Sequence, residues 1–206
     1  MITIIDLNIG NIGSVVNMIK HVGGSCIVSS DPNEIKKASK LILPGVGSFD
    51  KAMNQLRRIK LEEIILEKAK VEKIPLLGIC LGMHMLTNSS EEGKENGLAL
   101  IPAKTISFKK SFDEKKINER IPHMGWNDVN LKQENMLTKN LNNSSRFYFV
   151  HSYYVKCHSK DNSLMSSIHG LDFDSAIIKD NIYGVQFHPE KSHKYGKKLI
   201  SNFIKL

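Results

Sequence analysis

Long hydrophobic runs are missing from this chain of 206 residues. No apolar stretch reaches the roughly 20 residues that a membrane-spanning helix needs. Residues 1–6 have the apolar character of a first β-strand and lack the basic start of a secretory signal. We therefore expect a cytoplasmic protein without membrane contacts.

Cysteine is also scarce. The three residues Cys26, Cys80 and Cys157 are too few and too scattered for a disulfide framework or a zinc site built on paired cysteines. We expect free thiols, and neither a metal nor a cofactor.

No nucleic-acid-binding motif is present, although the net charge is +8. The lysines are spread along the chain without interleaved aromatic residues, so a solvated basic surface explains the charge better than a nucleic-acid partner. The content of 41% hydrophobic and 24% charged residues is that of an ordinary globular protein. The length suits one domain with a generous core.

The first half of the chain alternates short apolar runs with helical patterns, which is typical of βαβ units around a parallel sheet. The predicted strands are Ile2–Ile5, a strand near residues 27–28, Leu41–Leu43 and a strand that leads through residues 74–77 to Cys80. The predicted helices are Ile12–His21, a short helix after Asp31-Pro32, and Leu61–Val71.

The second half changes character from residue 104 onward. Closely spaced alternating runs predict antiparallel strands added to one side of the parallel core, at residues 104–108, 146–150, 153–157 and 175–178. The charge-rich segment Lys109–Glu119 predicts a mobile surface loop. A strand at 182–187 and a helix at 195–203 close the chain, and the absence of repeats or linkers predicts one domain, 1–206.

One cysteine sits between two glycines, in Gly78-Ile79-Cys80-Leu81-Gly82 directly after a predicted strand. A strand that turns sharply into a helix needs small residues beside the apex, and it presents the apex side chain to a pocket. The partial positive charge of a helix N-terminus favours the thiolate of such a cysteine. Taken alone, the pattern fits a buried core cysteine equally well.

A cysteine nucleophile needs a base and a group that orients the base. The segment His188-Pro189-Glu190 offers both just past a predicted strand. In an extended segment, residues two apart lie on one side, so His188 and Glu190 can share a pocket. A carboxylate on the imidazole would hold its tautomer and favour the imidazolium.

Negative charge on an attacked carbonyl oxygen needs hydrogen-bond donors. The loop Pro44-Gly45-Val46-Gly47 follows an earlier strand, and its glycines allow backbone N–H groups to turn toward a ligand. The N–H group of Leu81 follows the nucleophile. By itself the loop is better explained as a turn, but three such elements at three strand ends exceed what turns require.

These motifs together resemble the class I (triad) glutamine amidotransferases. The segments 44–47, 78–83 and 184–190 match that family, and within it the likeness is greatest to the glutaminase subunits of imidazole glycerol phosphate synthases, through segments 121–127 and 188–192. The likeness covers essentially the whole chain. It implies a three-layer, flavodoxin-like α/β fold with a mixed sheet.

By that resemblance, Cys80 attacks the side-chain carboxamide of glutamine, releases ammonia and leaves a thioester that water hydrolyses to glutamate. His188 is the general base and acid, and Glu190 orients it. Residues that match oxyanion or glutamine positions are Val46, Gly47, Leu81, Ser152 and Tyr153.

The resemblance also implies a heterodimer, in which a (β/α)8-barrel cyclase subunit uses the ammonia to form imidazole glycerol phosphate and an aminoimidazole carboxamide ribotide. We expect low glutaminase activity without that partner. Residues that match partner-facing segments are Asn11, His123, Met124, Trp126, Tyr148 and Lys191. Without the resemblance, residues 124–126 would be interpreted as a core turn with Trp126 in the core.

One position departs from the family pattern. Four residues after the nucleophile, where the family usually has a glutamine that contacts the substrate, this chain has His84. One helical turn from Cys80, His84 could reach the pocket and donate a hydrogen bond to glutamine in the proper tautomer, which would make its contact pH-dependent. A second interpretation is that His84 competes with His188 as the base, but the triad spacing favours His188.

Three alternatives remain. Segments 88–93, 146–150 and 191–196 look like paralogous subunits that supply ammonia to surface-sugar (O-antigen-type) biosynthesis, with the same chemistry at the nucleophile. Histidine biosynthesis remains the main interpretation because the overall match is to that subunit. A catalytically silent regulatory domain would have lost a triad member, and none is lost. A cysteine peptidase of the same architecture has no need of His-Pro-Glu.

Overall fold

A computed structural model describes residues 1–8 and 12–206. Its strands are β1 Ile2–Ile5, β2 Cys26–Ser29, β3 Lys40–Gly45, β4 Leu76–Cys80, β5 Ser89–Ser90, β6 Ala103–Ser107, β7 His123–Asp128, β8 Asn130–Leu131, β9 Arg146–His151, β10 Tyr153–Cys157, β11 Ser163–His169, β12 Leu171–Lys179 and β13 Ile182–Val185. Its α-helices are α1 Ile12–His21, α2 Pro32–Lys36, α3 Phe49–Arg58, α4 Glu62–Lys70, α5 Leu81–Leu86, α6 Phe108–Lys115 and α7 His193–Lys205. Short 3-10 helices cover Lys160–Asn162 and Pro189–Lys191.

The large sheet is mixed. Its core is five parallel strands in the order β2-β1-β3-β4-β13. Beyond β13, the sheet continues through antiparallel β12, β10 and β6, with β5 on the far edge; β11 pairs with β12, and β8 pairs with β11. The predicted parallel core with antiparallel strands from the second half is therefore confirmed.

Helices cover both faces of the parallel core. Side chains of the central strands alternate between two apolar clusters, as shown by Ile42 on one face and Leu41 and Leu43 on the other. The first face packs against α1 and α7, and the second against α3, α4 and α5. Because both faces are buried, these strands have continuous apolar sequences. The three-layer arrangement agrees with the expected fold.

Two details differ from the expectations. Strand β9 does not join the large sheet; it pairs with β7 as a separate antiparallel ribbon, with Phe147 and Phe149 buried beneath it. Alternation shows which side of a strand is buried, but it does not show which strand is its neighbour. In addition, no helix is predicted over Phe49–Arg58, where α3 lies; the signal is present in buried residues at helical spacing, Phe49, Ala52, Met53 and Leu56.

The prediction of a mobile loop at Lys109–Glu119 is wrong over most of its length. Helix α6 begins after Ser107, whose hydroxyl accepts a hydrogen bond from the N–H of Lys110, and it ends at Lys116 in the left-handed conformation. Phe108 and Phe112 are buried one turn apart with their ring centroids 5.3 Å apart. Two apolar anchors suffice to order a helix whose other residues are charged and solvated.

Removal of one anchor tests this helix. We expect Phe112→Ala to lower the free energy of unfolding by about 3 kcal/mol, since it removes a buried aromatic ring. Lys109→Ala, at an exposed position of the same helix, should change it by less than about 0.5 kcal/mol. Denaturant titration of both variants measures the difference. Equal effects would mean that α6 does not depend on the Phe112 contact.

Candidate active site

Three adjacent parallel strands deliver the predicted site residues to one edge of the sheet. Strand β4 lies between β3 and β13, and all three run in the same direction. Cys80 ends β4, the loop with Val46 and Gly47 follows β3, and His188 follows β13. The carboxyl ends of parallel strands form the usual ligand crevice of open α/β sheets. Sequence-distant segments therefore meet at Cys80.

The backbone of Cys80 is strained. Its φ is 54° and its ψ is −109°, values that residues with a side chain rarely adopt. Helix α5 starts at the next residue, and the Cys80 side chain is nearly buried, with 8% of its surface exposed. The strand, sharp turn and helix predicted around Cys80 are present. This is the geometry of a nucleophile elbow.

Close packing holds the elbow in place. A Cβ atom at Gly82 would overlap the carbonyl oxygen of Leu43 in β3, and one at Gly78 would lie 2.6 Å from the carbonyl oxygen of Gly82. Only glycine allows these backbone segments to approach so closely. The two flanking glycines thus have a steric role, as expected from the sequence.

His188 and Glu190 form a buried pair. The Nδ1 atom of His188 is 2.7 Å from Oε1 of Glu190, and the two side chains are 3% and 7% exposed. Since a carboxylate accepts, Nδ1–H donates, which leaves Nε2 as the atom that can exchange a proton. Nε2 of His188 and Oε2 of Glu190 have no hydrogen-bond partner among residues 1–8 and 12–206.

The local geometry of this pair differs from the expectation. The extended segment predicted from His188 to Glu190 is instead an extended His188 followed by a 3-10 turn, Pro189–Lys191. The turn brings the carboxylate back to its histidine. The strand before it ends at Val185, earlier than predicted. The two-residue spacing therefore correctly predicts that His188 and Glu190 meet, but a 3-10 turn and not an extended segment brings them together.

The environment of His188 favours its charged form. Burial disfavours the imidazolium, but interactions with Cys80 and with Glu190 outweigh it and raise the pKa of His188 to about 9. Cys80 and His188 also line the same pocket. An imidazolium beside a cysteine is the electrostatic pairing of activated thiol nucleophiles.

A pocket of about 400 Å³ opens beside Cys80. The structure brings every residue that was predicted to contact glutamine or the oxyanion to its lining, together with Cys80 and His188: Val46, Gly47, Leu81, His84, Ser152 and Tyr153. Gly47 has a φ of 99°, a conformation that a glycine adopts without strain. Glu92, Pro122, His151 and Lys191 complete part of the wall and were not predicted for it.

His84 has a partner that the sequence did not reveal. Its Nε2 atom is 2.8 Å from Oε1 of Gln186, and Nε2 of Gln186 is 4.0 Å from the sulfur of Cys80. Burial lowers the pKa of His84 to about 4, although the bond with Gln186 opposes this shift. His84 is thus neutral near pH 7, and its contacts do not change with pH in that range. A ring in hydrogen-bond contact with Gln186 and with its pKa lowered is a poor competitor of His188.

Ser192 organises the histidine loop. Its hydroxyl donates to the carbonyl oxygen of His188 over 2.6 Å and accepts from the N–H of Tyr148 over 3.0 Å. The N–H of His188 in turn donates to the carbonyl oxygen of Tyr148. These bonds tie the end of β13 to the ribbon strand β9. Ser192 belongs to the segment 188–192 that resembles the family, but nothing in the pattern of that segment indicates this bridging role.

Two further buried histidines, His123 and His151, form a hydrogen-bonded pair at the wall of the pocket. Nδ1 of His151 donates to the carbonyl oxygen of Tyr153 over 2.7 Å, so its Nε2 accepts from Nδ1 of His123 over 2.8 Å. Burial lowers the pKa of His123 to about 4, and burial also lowers the pKa of His151. Both rings are therefore neutral. The carbonyl group of Tyr153 fixes the tautomer of His151, and His151 in turn fixes the tautomer of His123.

The residues expected to face a partner separate into two groups. On β7, Met124 and Trp126 are 62% and 40% exposed, and Nζ of Lys191 lies 5.7 Å from the ring centroid of Tyr148. Trp126 is in a strand and on the surface, so its interpretation as part of a core turn is wrong. Asn11 lies outside the described residues.

His123 does not agree with the expected partner-facing role. It precedes Met124 on the same strand, and successive side chains point to opposite faces, so its ring is buried against His151 and Phe149.

Within residues 1–8 and 12–206, no cluster of three or more His, Cys, Asp or Glu side chains is arranged to hold a metal ion. Across that same described part of the chain, every helix is too short or too polar to cross a membrane.

The packing at Gly82 can be tested by adding a methyl group. We expect Gly82→Ala to lower the free energy of unfolding by about 3 kcal/mol, because helix α5 or strand β3 must move to relieve the overlap with Leu43. Gly23→Ala is the control: it has open space but a φ of 81°, and it should cost only about 1 kcal/mol. Thermal and denaturant unfolding compare the two. A harmless Gly82→Ala would contradict the close approach.

The buried neutral His84 predicts a dependence of stability on pH. Its folded pKa lies below its unfolded value, so the unfolded chain binds more protons as pH falls below about 6.5, and stability is lost as pH falls toward 4. His84→Gln removes this effect. We expect the wild type to lose about 2 kcal/mol more than His84→Gln between pH 7.5 and pH 5, measured by urea titration. Parallel curves for the two proteins would refute the buried neutral state.

Comparisons with known proteins show the family of the chain. The model of the class-I glutamine amidotransferase family matches residues 3–206. The Imidazole glycerol phosphate synthase subunit HisH 2 of Methanococcus maripaludis is 58% identical over 205 residues, covering 100% of this chain and 99% of that protein. The protein of the same name from Pseudomonas aeruginosa is 45% identical over 206 residues, covering 100% of both.

Solved structures support the fold. A crystal structure described as a glutamine amidotransferase superposes with a TM-score of 0.77 at 16% identity and covers 99% of this chain and 97% of its own. At that identity the likeness concerns the fold alone. Since the family model matches residues 3–206 and full-length relatives are 45% and 58% identical, the chain belongs to the class-I glutamine amidotransferase family.

Proposed function

We propose that this protein is the glutaminase subunit of an imidazole glycerol phosphate synthase. It hydrolyses glutamine to glutamate and ammonia, and the ammonia passes to a (β/α)8-barrel cyclase subunit in histidine biosynthesis. The observation that carries the proposal is the strained Cys80 elbow beside the buried His188–Glu190 pair in one pocket. The full-length similarity to proteins named as HisH subunits supports the choice of reaction.

Cys80 is the proposed nucleophile. Its thiolate adds to the Cδ carbon of glutamine, and the C–N bond breaks as the nitrogen takes a proton from Nε2 of His188 and leaves as ammonia. Water then adds to the γ-glutamyl thioester, giving its proton to the same Nε2 atom. Cleavage of the C–S bond releases glutamate and restores Cys80. Because Nδ1 of His188 is committed to Glu190, one nitrogen serves both proton transfers.

The negative oxygen of each tetrahedral intermediate needs donors on the other side of the pocket. The N–H of Leu81 at the start of α5 is one proposed donor, and the loop at Val46 and Gly47 supplies the other. Gly45 is in register with Cys80 across β3 and β4, so this loop starts beside the nucleophile. Ser152 and Tyr153 line the same pocket, where they are proposed to hold the substrate.

The exposed apolar residues beside the pocket support a docked synthase subunit. Lys191 lines the pocket and also contacts the ring of Tyr148, while the ring of Trp126 lies 5.5 Å from that of His193. Large exposed side chains next to a reaction site are typical of a protein interface. Ammonia released in the pocket would therefore emerge close to this proposed interface.

A second acceptor is favoured by one observation. The relatives from Methanococcus maripaludis and Pseudomonas aeruginosa both carry the number 2 in their names, which indicates more than one such subunit in those organisms. A duplicated glutaminase can serve a different synthase, such as one that transfers ammonia to a surface sugar. The chemistry at Cys80 is the same for both acceptors.

Glutamate release tests the proposal directly. We expect weak release from the isolated chain, strong stimulation by a cyclase subunit and its ligand, and a loss of at least about 100-fold in Cys80→Ser. The assay measures glutamate with each candidate synthase subunit added in turn. His158→Ala, at a histidine that lies outside the pocket lining, is the matched control and should retain activity.

Two results would overturn parts of the proposal. Full activity in Cys80→Ser would exclude the thiol mechanism. Stimulation by a sugar-modifying synthase, with none by the cyclase, would replace histidine biosynthesis by the second acceptor.

A further inference from the structure

Gln186 lies beside the nucleophile, although it is not part of the triad. It is fully buried, and its backbone N–H donates to the carbonyl oxygen of Ser175 in β12, which fixes its main chain. Its side chain spans the space between His84 and Cys80. Oε1 is 2.8 Å from Nε2 of His84, and Nε2 is 4.0 Å from the sulfur. Substitution here would thus change the immediate surroundings of the reacting atom.

Only one orientation of this amide suits a thiolate. If Nε2–H of His84 donates to Oε1, the amino group of Gln186 points toward the sulfur and can donate to it. If the amide were reversed, its carbonyl oxygen would face the negative sulfur, which is repulsive. The identity of the group at position 84 therefore decides which end of the amide meets Cys80.

We propose that His84 and Gln186 form a positioning pair for Cys80, in which His84 holds the Gln186 amide so that its amino group donates a hydrogen bond to the sulfur. This inference rests on the proposed role of Cys80 as nucleophile. Gln186 contacts the reacting atom, while His84 acts through Gln186 as a positioning residue. Charge-assisted bonds of this kind stabilise the anion they donate to.

The proposal accounts for the histidine at position 84. A neutral imidazole carries one N–H, and the buried Oε1 atom of Gln186 takes it. A glutamine side chain at position 84 can supply the same donor through its own amino group. A leucine of similar size cannot, and it would leave Oε1 without its donor and the amide free to reverse. The function of position 84 thus depends on a donor rather than on a charge.

Alkylation of Cys80 by iodoacetamide tests the pair without requiring turnover. Mass spectrometry of the Cys80 peptide separates it from Cys26 and Cys157. We expect Gln186→Leu and His84→Leu to slow alkylation about tenfold at pH 7, or roughly 1.4 kcal/mol. At pH 9.5 both variants should approach the wild-type rate, because alkaline solution ionises cysteine thiols in general. His84→Gln should restore the pH 7 rate to within about threefold. Unchanged rates in His84→Leu would overturn the proposal.

A double variant shows whether His84 acts through Gln186. If it does, His84→Leu combined with Gln186→Leu should react as slowly as Gln186→Leu alone. Additive effects, about 100-fold together, would mean that the two residues act independently and would contradict the pair. Should Gln186→Leu fail to fold, Gln186→Glu keeps the shape and the contact with His84. Its carboxylate would face the sulfur and slow alkylation by more than tenfold.

Steady-state kinetics with the synthase subunit separate this role from direct substrate contact. A positioning pair predicts that His84→Leu lowers kcat with little change in the KM for glutamine. A raised KM with unchanged kcat would mean that His84 binds glutamine and would refute the positioning role. Absence of glutamate release from the wild type would instead contradict the proposed function, while the alkylation rates would still report on the pair.

Discussion

The site depends on how closely helix α5 approaches strand β3. Gly82 lies against the carbonyl oxygen of Leu43, and this contact sets where α5 begins. With the helix start fixed, the chain has only one sharp turn in which to leave β4, and Cys80 occupies it with a φ of 54°. The strain is tolerated because the strands on both sides, β3 and β13, are paired along their length with β4. The position of the thiol at the pocket is therefore a consequence of sheet and helix packing rather than of the cysteine itself.

Much of this arrangement is local in the sequence, which is why it could be predicted. The two glycines around Cys80 predict the turn, and the spacing of His188 and Glu190 predicts their pairing. The adjacency of three strand ends follows from parallel βαβ connections. Even so, the shape that pairs His188 with Glu190 is a 3-10 turn, which spacing alone does not distinguish from an extended segment.

The parts that sequence reasoning missed are set by contacts between distant residues. His84 and Gln186 are 102 positions apart, and the pairing of β7 with β9 joins strands with β8 between them in the sequence. No periodicity records which strand lies beside which. The prediction at helix α6 was wrong for a different reason. The high charge of the segment indicated a solvated loop, but two phenylalanines one turn apart are enough to anchor a helix there. The charged composition of the segment correctly indicates the exposed face of α6, but it does not indicate the face that Phe108 and Phe112 bury.

Burial alone does not decide the charge of a histidine in this protein. His84 and His151 are as deeply buried as His188, and burial lowers the pKa of both. Their partners are an amide and a carbonyl group, which can fix a tautomer but cannot compensate a full charge. His188 interacts with Cys80 and with the carboxylate of Glu190, and its pKa rises.

The same residue type therefore does two kinds of work within one pocket. The neutral rings of His151 and His84 bond to the pocket wall and to the amide of Gln186, whereas His188, whose pKa is raised, is the ring proposed to move protons. The interactions of His188 with Cys80 and with the carboxylate of Glu190 are what separate the two roles. In this fold the acid and base function is assigned by the partner of the imidazole and not by its depth. It follows that a histidine close to the nucleophile, such as His84, can serve the thiol without exchanging a proton with it.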